Sequence, residues 1–233
     1  MHVREGLIML AWHFLPSHGG LRHDDHGIVE PGSTLCVDSG LLLLCKNGLH
    51  ACKKVVDALY YAPFDVIPTR SSVKLCRVEM GGRIIEDTDK LVASERTVLW
   101  MINGCWEIFN SFAIRALQAV VDECSKLNIR INTEIEGALD FNLKKLLSIN
   151  VCDLNDSSVA IIDRSLFPTL NTALSFYHQL YKDKGLLLRC GFDGCIDYFL
   201  DCEDVAYDRA RDAVDYILTS CIEDHLREAC LWW

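Results

Sequence analysis

Two stretches decide the fold: Cys45–Pro63, CKNGLHACKKVVDALYYAP, and Val73–Trp100, VKLCRVEMGGRIIEDTDKLVASERTVLW. Gly48-Leu49-His50-Ala51 ends one apolar run and leads into a short helix. Over Lys53–Tyr61, Val55, Val56, Leu59 and Tyr60 fall at helical spacing, and Pro63 stops the helix. Val73–Met80 alternates as a strand does. Gly81-Gly82 reads as a turn, Arg83–Glu86 as the start of a second strand, and Asp87, Asp89 and Lys90 as an acidic loop. Such punctuation specifies a compact β-α-β unit.

Working outward, Leu7–Leu15 is an apolar opening strand, and Pro16–Gly32 is loop. Thr34–Val37 and Leu41–Cys45 are short buried strands. Ser94 has N-cap chemistry. Beyond it Val98, Ile102, Cys105, Phe109, Phe112 and Ala116 recur at three- and four-residue steps, which predicts a long amphipathic helix to about Lys126. Further helices are expected at Glu134–Ser148, Pro168–Lys182 and Asp204–Cys230. Pro168 suits a first turn and Gly185 a stop. The expected class is α+β: a β-rich domain over residues 1–93 and an all-helical domain over 94–233.

The chain has 233 residues, half of them apolar, and a formal charge of -10. It is long enough to bury a core without staples. The charge argues against a broad nucleic-acid-binding face. The apolar run Gly40–Cys45 is too short to span a bilayer, and Met1–Leu15 lacks a signal-peptide pattern. Twelve cysteines, mostly inside apolar runs, read as free thiols in a reducing cytoplasm.

Few residues carry a chemical signature. His13, His18, His23 and His26, beside Asp24 and Asp25, are of metal-ligand type, but their spacing fits no helix-borne ligand set, and a solvated loop accounts for them. No CxxC, GxSxG, Walker A or GxGxxG motif occurs. His50 sits at a strand-to-helix junction with Lys53 and Lys54 in the first turn, where two cations oppose the helix dipole. A phosphate or carboxylate ligand there would account for them; solvated lysines and a packed histidine are the alternative. Asp89 and Lys90 could pair with Arg96. In the last helix, Asp208, Arg209, Arg211, Asp212 and Asp215 form a polar side, Glu223 and Arg227 an i,i+4 pair, and Trp232-Trp233 a docking or dimer contact.

Trp12–Phe14, Thr34-Leu35, Cys45–Cys52, Asp57–Pro63, Cys76–Ile85 and Asp89–Thr97 together resemble a family of uncharacterised proteins common in bacteriophages and prophages. That resemblance implies a viral origin and a cytoplasmic, host-cell setting, and brings no established activity. A fainter likeness joins Gly48–Ala51, Tyr60-Tyr61-Ala62 and Leu75–Gly81 to the core of ADP-ribosyltransferases. It implies an NAD or ADP-ribose-like ligand, with His13 in the histidine place and Tyr60 or Tyr61 in the stacking place. No late strand bearing the expected Glu is apparent.

The expectation is a non-enzymatic accessory protein that binds a nucleotide-type small molecule or a host protein, with a counter-defence role. His50, Lys53, Lys54, Tyr60, Tyr61 and His13 are its candidate ligand contacts. The alternatives are an NAD-using enzyme and a structural module that oligomerises through its helices. Neither a resident cofactor nor a membrane partner is expected.

Overall fold

Alternation over residues 74–86 and 91–103 builds two long antiparallel strands that carry the rest of the sheet. The computed structural model describes residues 2–21, 27–44, 46–63, 73–126, 143–150, 156–182 and 205–229. Six strands come first: β1 (His2–Glu5), β2 (Met9–Leu15), β3 (Thr34–Cys36), β4 (Leu49–Ala51), β5 (Lys74–Glu86) and β6 (Leu91–Asn103). Helix α1 (Val55–Tyr60) lies between β4 and β5. Helices α2 (Trp106–Lys126), α3 (Asp156–Lys182) and α4 (Val205–Glu228) follow. Met1–Cys105 forms one compact unit and Trp106–Trp233 another, an α+β arrangement.

In the first unit β5 pairs with β6 along its length, with β1 over residues 83–86 and with β2 over residues 74–80. β6 also holds β3 and β4. Every pairing is antiparallel. Beyond β4, Cys52 and Trp12 exchange both backbone bonds, N to O 2.7 and 2.9 Å, so the sheet curls until β2 meets the end of β4. The register puts Met9, Ala11, His13, Cys76, Val78, Met80, Arg96, Val98 and Met101 on one face. The apolar residues among them join Leu49, Ala51, Ile84, Leu91 and Ala93 in one core cluster. Trp12, Arg77 and Trp100 share the other face, with the Arg77 guanidinium 4.3 Å from the Trp12 ring centroid. Helix α1 packs on β2, burying Val55, Val56 and Leu59.

Three sequence expectations are corrected here. Gly81-Gly82 is not a turn. β5 runs through it, and Gly82 and Arg83 oppose the single residue Ser94, whose Oγ accepts from Arg83 N at 2.9 Å. This is a bulge with glycine at positive φ, and the chain reverses at Asp87–Lys90 instead, where Asp87 N donates to Lys90 O. Ser94 is not an N-cap either: it is buried in mid-strand, and the helix starts at Trp106. Val98 and Ile102 mimic a helical step, yet they lie on opposite faces of β6 because Leu99 is an extra residue at the second irregularity. Of the expected strand Leu41–Cys45, the described residues 41–44 do not form one: Ser39–Leu41 is a 3-10 turn, and Leu43 makes an isolated bridge to Asn47.

The second unit packs α2, α3 and α4 on one another. Ile108, Phe109, Phe112, Ala113, Ala116, Leu117, Val120 and Cys124 form the buried stripe of α2. Arg115 Nη2 meets Asp224 Oδ2 at 2.6 Å, and the expected Arg227–Glu223 pair forms at 3.7 Å. Pro168 lies inside α3 rather than in its first turn, and Arg211, expected on a polar side, is buried. Of the expected helix Glu134–Ser148, residues 143–147 are described and helical. Gly185 and Trp232-Trp233 lie outside the described residues.

A Cβ at Gly48 (φ +119) would lie 2.3 Å from Val92 Cγ2, and one at Gly82 (φ +68) 2.1 Å from Ser94 Oγ. Gly48→Ala and Gly82→Ala will each cost about 1–3 kcal/mol of unfolding free energy in urea. Gly27→Ala, also at positive φ but with open space around it, will cost less than either, about 1 kcal/mol from backbone strain alone.

Candidate functional site

Only part of the expected constellation comes together. Helix α1 has six residues and begins after both lysines, with Lys54 at its N-cap. Lys53 ion-pairs with Glu86, a nearly buried carboxylate that also meets Arg4 at 3.1 Å. The Lys53 hydrogen bond holds the Glu86 carboxyl below its ordinary range, more strongly than burial raises it. Lys53 is thus committed to the sheet. At the other end of α1, Tyr61 donates its hydroxyl hydrogen to Asp89 and receives Lys90 Nζ at 3.2 Å. Burial, then the Asp89 bond, pushes its pKa up to about 12. Tyr61 therefore anchors the β5–β6 hairpin to α1, while Tyr60 is half exposed.

His13 and His50 lead to a different centre. His13 stands on β2 opposite Cys76 of β5, on the core face. Burial first, then the Arg96 and His50 charges, hold its pKa well below the usual histidine value, so its imidazole is neutral at neutral pH. His50, on β4, is half-buried and lowered by burial and by Arg96 and Lys90, against a raising backbone bond at Gly48. Cys76 is a buried thiol pushed up to about 12 by burial.

All three feel the charge of Arg96, a residue the sequence reading assigned to a loop pairing with Asp89 and Lys90. It is instead 2% exposed on the core face of β6, opposite Met80 and Leu35. Its Nη1 donates to the His50 carbonyl at 2.9 Å. Nε and Nη2 are buried with no hydrogen-bond partner among the described residues, and no carboxylate pairs with it there. Burial lowers its pKa to about 10, which still leaves it charged at neutral pH. The signal in the sequence was an Arg at an inward position of an alternating strand, concealed by the helical reading of that segment.

Among the described residues no group of three His, Cys, Asp or Glu could hold a metal. His13 lies in β2 and His18 in a turn, while His23, His26, Asp24 and Asp25 lie outside the described residues, as do Cys45, Cys190 and Cys195. Cys36, Cys52, Cys76, Cys105, Cys124 and Cys221 are free, and all but Cys36 are buried. Among the described residues no helix is long and apolar enough to cross a membrane.

Residues 30–109 match a family model described as a domain of unknown function (DUF7666). That span begins before β3 and ends in the first turns of α2, so it contains β3–β6 and α1 but not β1 or β2. No curated protein and no solved structure matches the chain.

Because the folded His13 pKa lies below its unfolded value near 6.5, its contribution to stability is complete above that value and is lost as pH falls through the folded one. The β-rich unit will therefore lose stability as pH drops below about 6.5. His13→Phe will flatten that dependence in urea melts at pH 7.5, 6.5 and 5.5. The remaining acid sensitivity will come from groups such as His50 and Glu86.

Proposed function

We propose that this chain is a phage-encoded accessory protein whose β-rich unit binds a small anionic, nucleotide-type molecule without turning it over, as part of countering a host defence. The phage setting rests on the resemblance carried by Cys45–Cys52, Asp57–Pro63 and Asp89–Thr97. The binding reading rests on one observation: a buried guanidinium with no carboxylate partner among the described residues. A buried cation without a counter-charge is costly, by several kcal/mol. A chain gains from keeping one where an anion is to be received. Neutral imidazoles and a protonated thiol around it leave the positive charge uncompensated for that anion. The contacts differ from those expected at Lys53, Lys54, Tyr60 and Tyr61. His13 and His50 remain, and Arg96 joins them.

Thermal melts with NAD, ADP-ribose and cyclic nucleotides test this reading. A ligand that binds the folded state alone raises the midpoint by several degrees and saturably. No shift with any of these compounds would refute nucleotide binding and favour a host-protein partner or an assembly role. Release of nicotinamide from NAD would overturn the non-enzymatic part and support the transferase alternative.

A further inference from the structure

Arg96 has one engaged edge and one edge that is buried without a hydrogen-bond partner among the described residues. Nη1 is used by the His50 carbonyl at 2.9 Å. The two atoms left over, Nε and Nη2, are not scattered around the group. They share one edge of the guanidinium plane and present two parallel N–H bonds. That fork matches the two oxygens of a carboxylate or the paired oxygens of a phosphate. A single neutral oxygen could accept from both, but only an anion also neutralises the charge, and a two-oxygen anion gives each N–H its own acceptor.

The surroundings favour the same class of occupant. The cross-strand neighbours of Arg96 are Met80 and Leu35, and the cluster around them is aliphatic. In apolar surroundings a charge-assisted pair is stronger than at a wet surface. The Nη1 bond to β4 fixes the plane of the group, so the unpartnered edge is pre-oriented. Resting on the binding reading above, we infer that the Nε/Nη2 edge of Arg96 is a bidentate receptor for a two-oxygen anionic group, a phosphate or a carboxylate, taken up inside the curled sheet. Arg96 supplies the specificity, and its bond to His50 supplies the orientation.

The Nε–H of Arg96 gives a direct readout. In a nitrogen–proton correlation spectrum of the full chain, through-bond correlations assign this resonance without any variant. Titrations with inorganic phosphate, acetate and AMP distinguish the sources of the anion. The expected result is a saturable shift of the Arg96 Nε–H with at least one of them. Arg96→Lys, which keeps the charge and removes the fork, should weaken that binding about tenfold or more, the equivalent of one lost charge-assisted bond. If ligand shifts appear elsewhere in the protein while the Arg96 resonance stays still, the fork is refuted and the binding reading stands. If none of the three probes moves any resonance, the fork is refuted, and the melts with nucleotides decide the broader reading on their own. Equal affinity in a folded Arg96→Lys protein also overturns the inference.

Discussion

The exchange of two backbone hydrogen bonds between Trp12 and Cys52 is the constraint on which the β-rich unit depends. Without it β2 and β4 would be separate edges of an open sheet, each with a row of unpaired backbone groups. With it the sheet has an enclosed face. β5 and β6 reach this closure through two irregularities, one near Val78 and one at Gly81–Ile84. Bulges raise local twist and bend a strand. The conformational freedom of Gly82 is therefore spent on curvature rather than on reversal, and the hairpin turn follows at Asp87–Lys90.

Closure explains how Arg96 can lie inside. The strand repeat points the backbone groups of His50 the same way as those of Cys52, toward β2. The Arg96 Nη1 serves the His50 carbonyl one ladder step from the Trp12–Cys52 pair. The guanidinium thus does structural work with one nitrogen and leaves the opposite edge unused. The same burial that isolates it keeps His13 neutral and Cys76 protonated. Burial thus governs the core face: the Arg96 charge reinforces it at His13 and opposes it at Cys76 without overturning it.

Local chemistry made much of this legible. Helix α1, strand β2 and the alternating first half of β5 follow from spacing and from Pro63, and the i,i+4 pair Glu223–Arg227 from helical geometry. What misled was context. β6 is buried on both faces only over residues 91–94, and its register shift at Leu99 leaves Val98 and Ile102 four apart, so a three-to-four step can be picked out of a strand. Gly81-Gly82 carries the composition of a turn, and only the partner strand shows that it is a bulge. Lys53 and Lys54 looked unpaired along the chain because the partner of Lys53, Glu86, is distant in sequence. Arg96 was missed for the converse reason: nearby acidic residues made a surface pairing plausible, while its real environment is assembled from four strands.

The distribution of thiols has a practical consequence. Burial raises Cys76 and Cys105 to about 12, and Cys124 and Cys221 to about 11, so little of their reactive thiolate form exists at neutral pH. Cys105 is held further by its Sγ bond to the Val73 carbonyl at 3.3 Å. Two of these thiols, Cys76 and Cys105, belong to the β-rich unit, and Cys124 and Cys221 to the helical one. The chain thus carries chemical timers in each half: alkylation at a given thiol proceeds at the rate at which its own unit opens, and the two halves report their unfolding separately within one molecule.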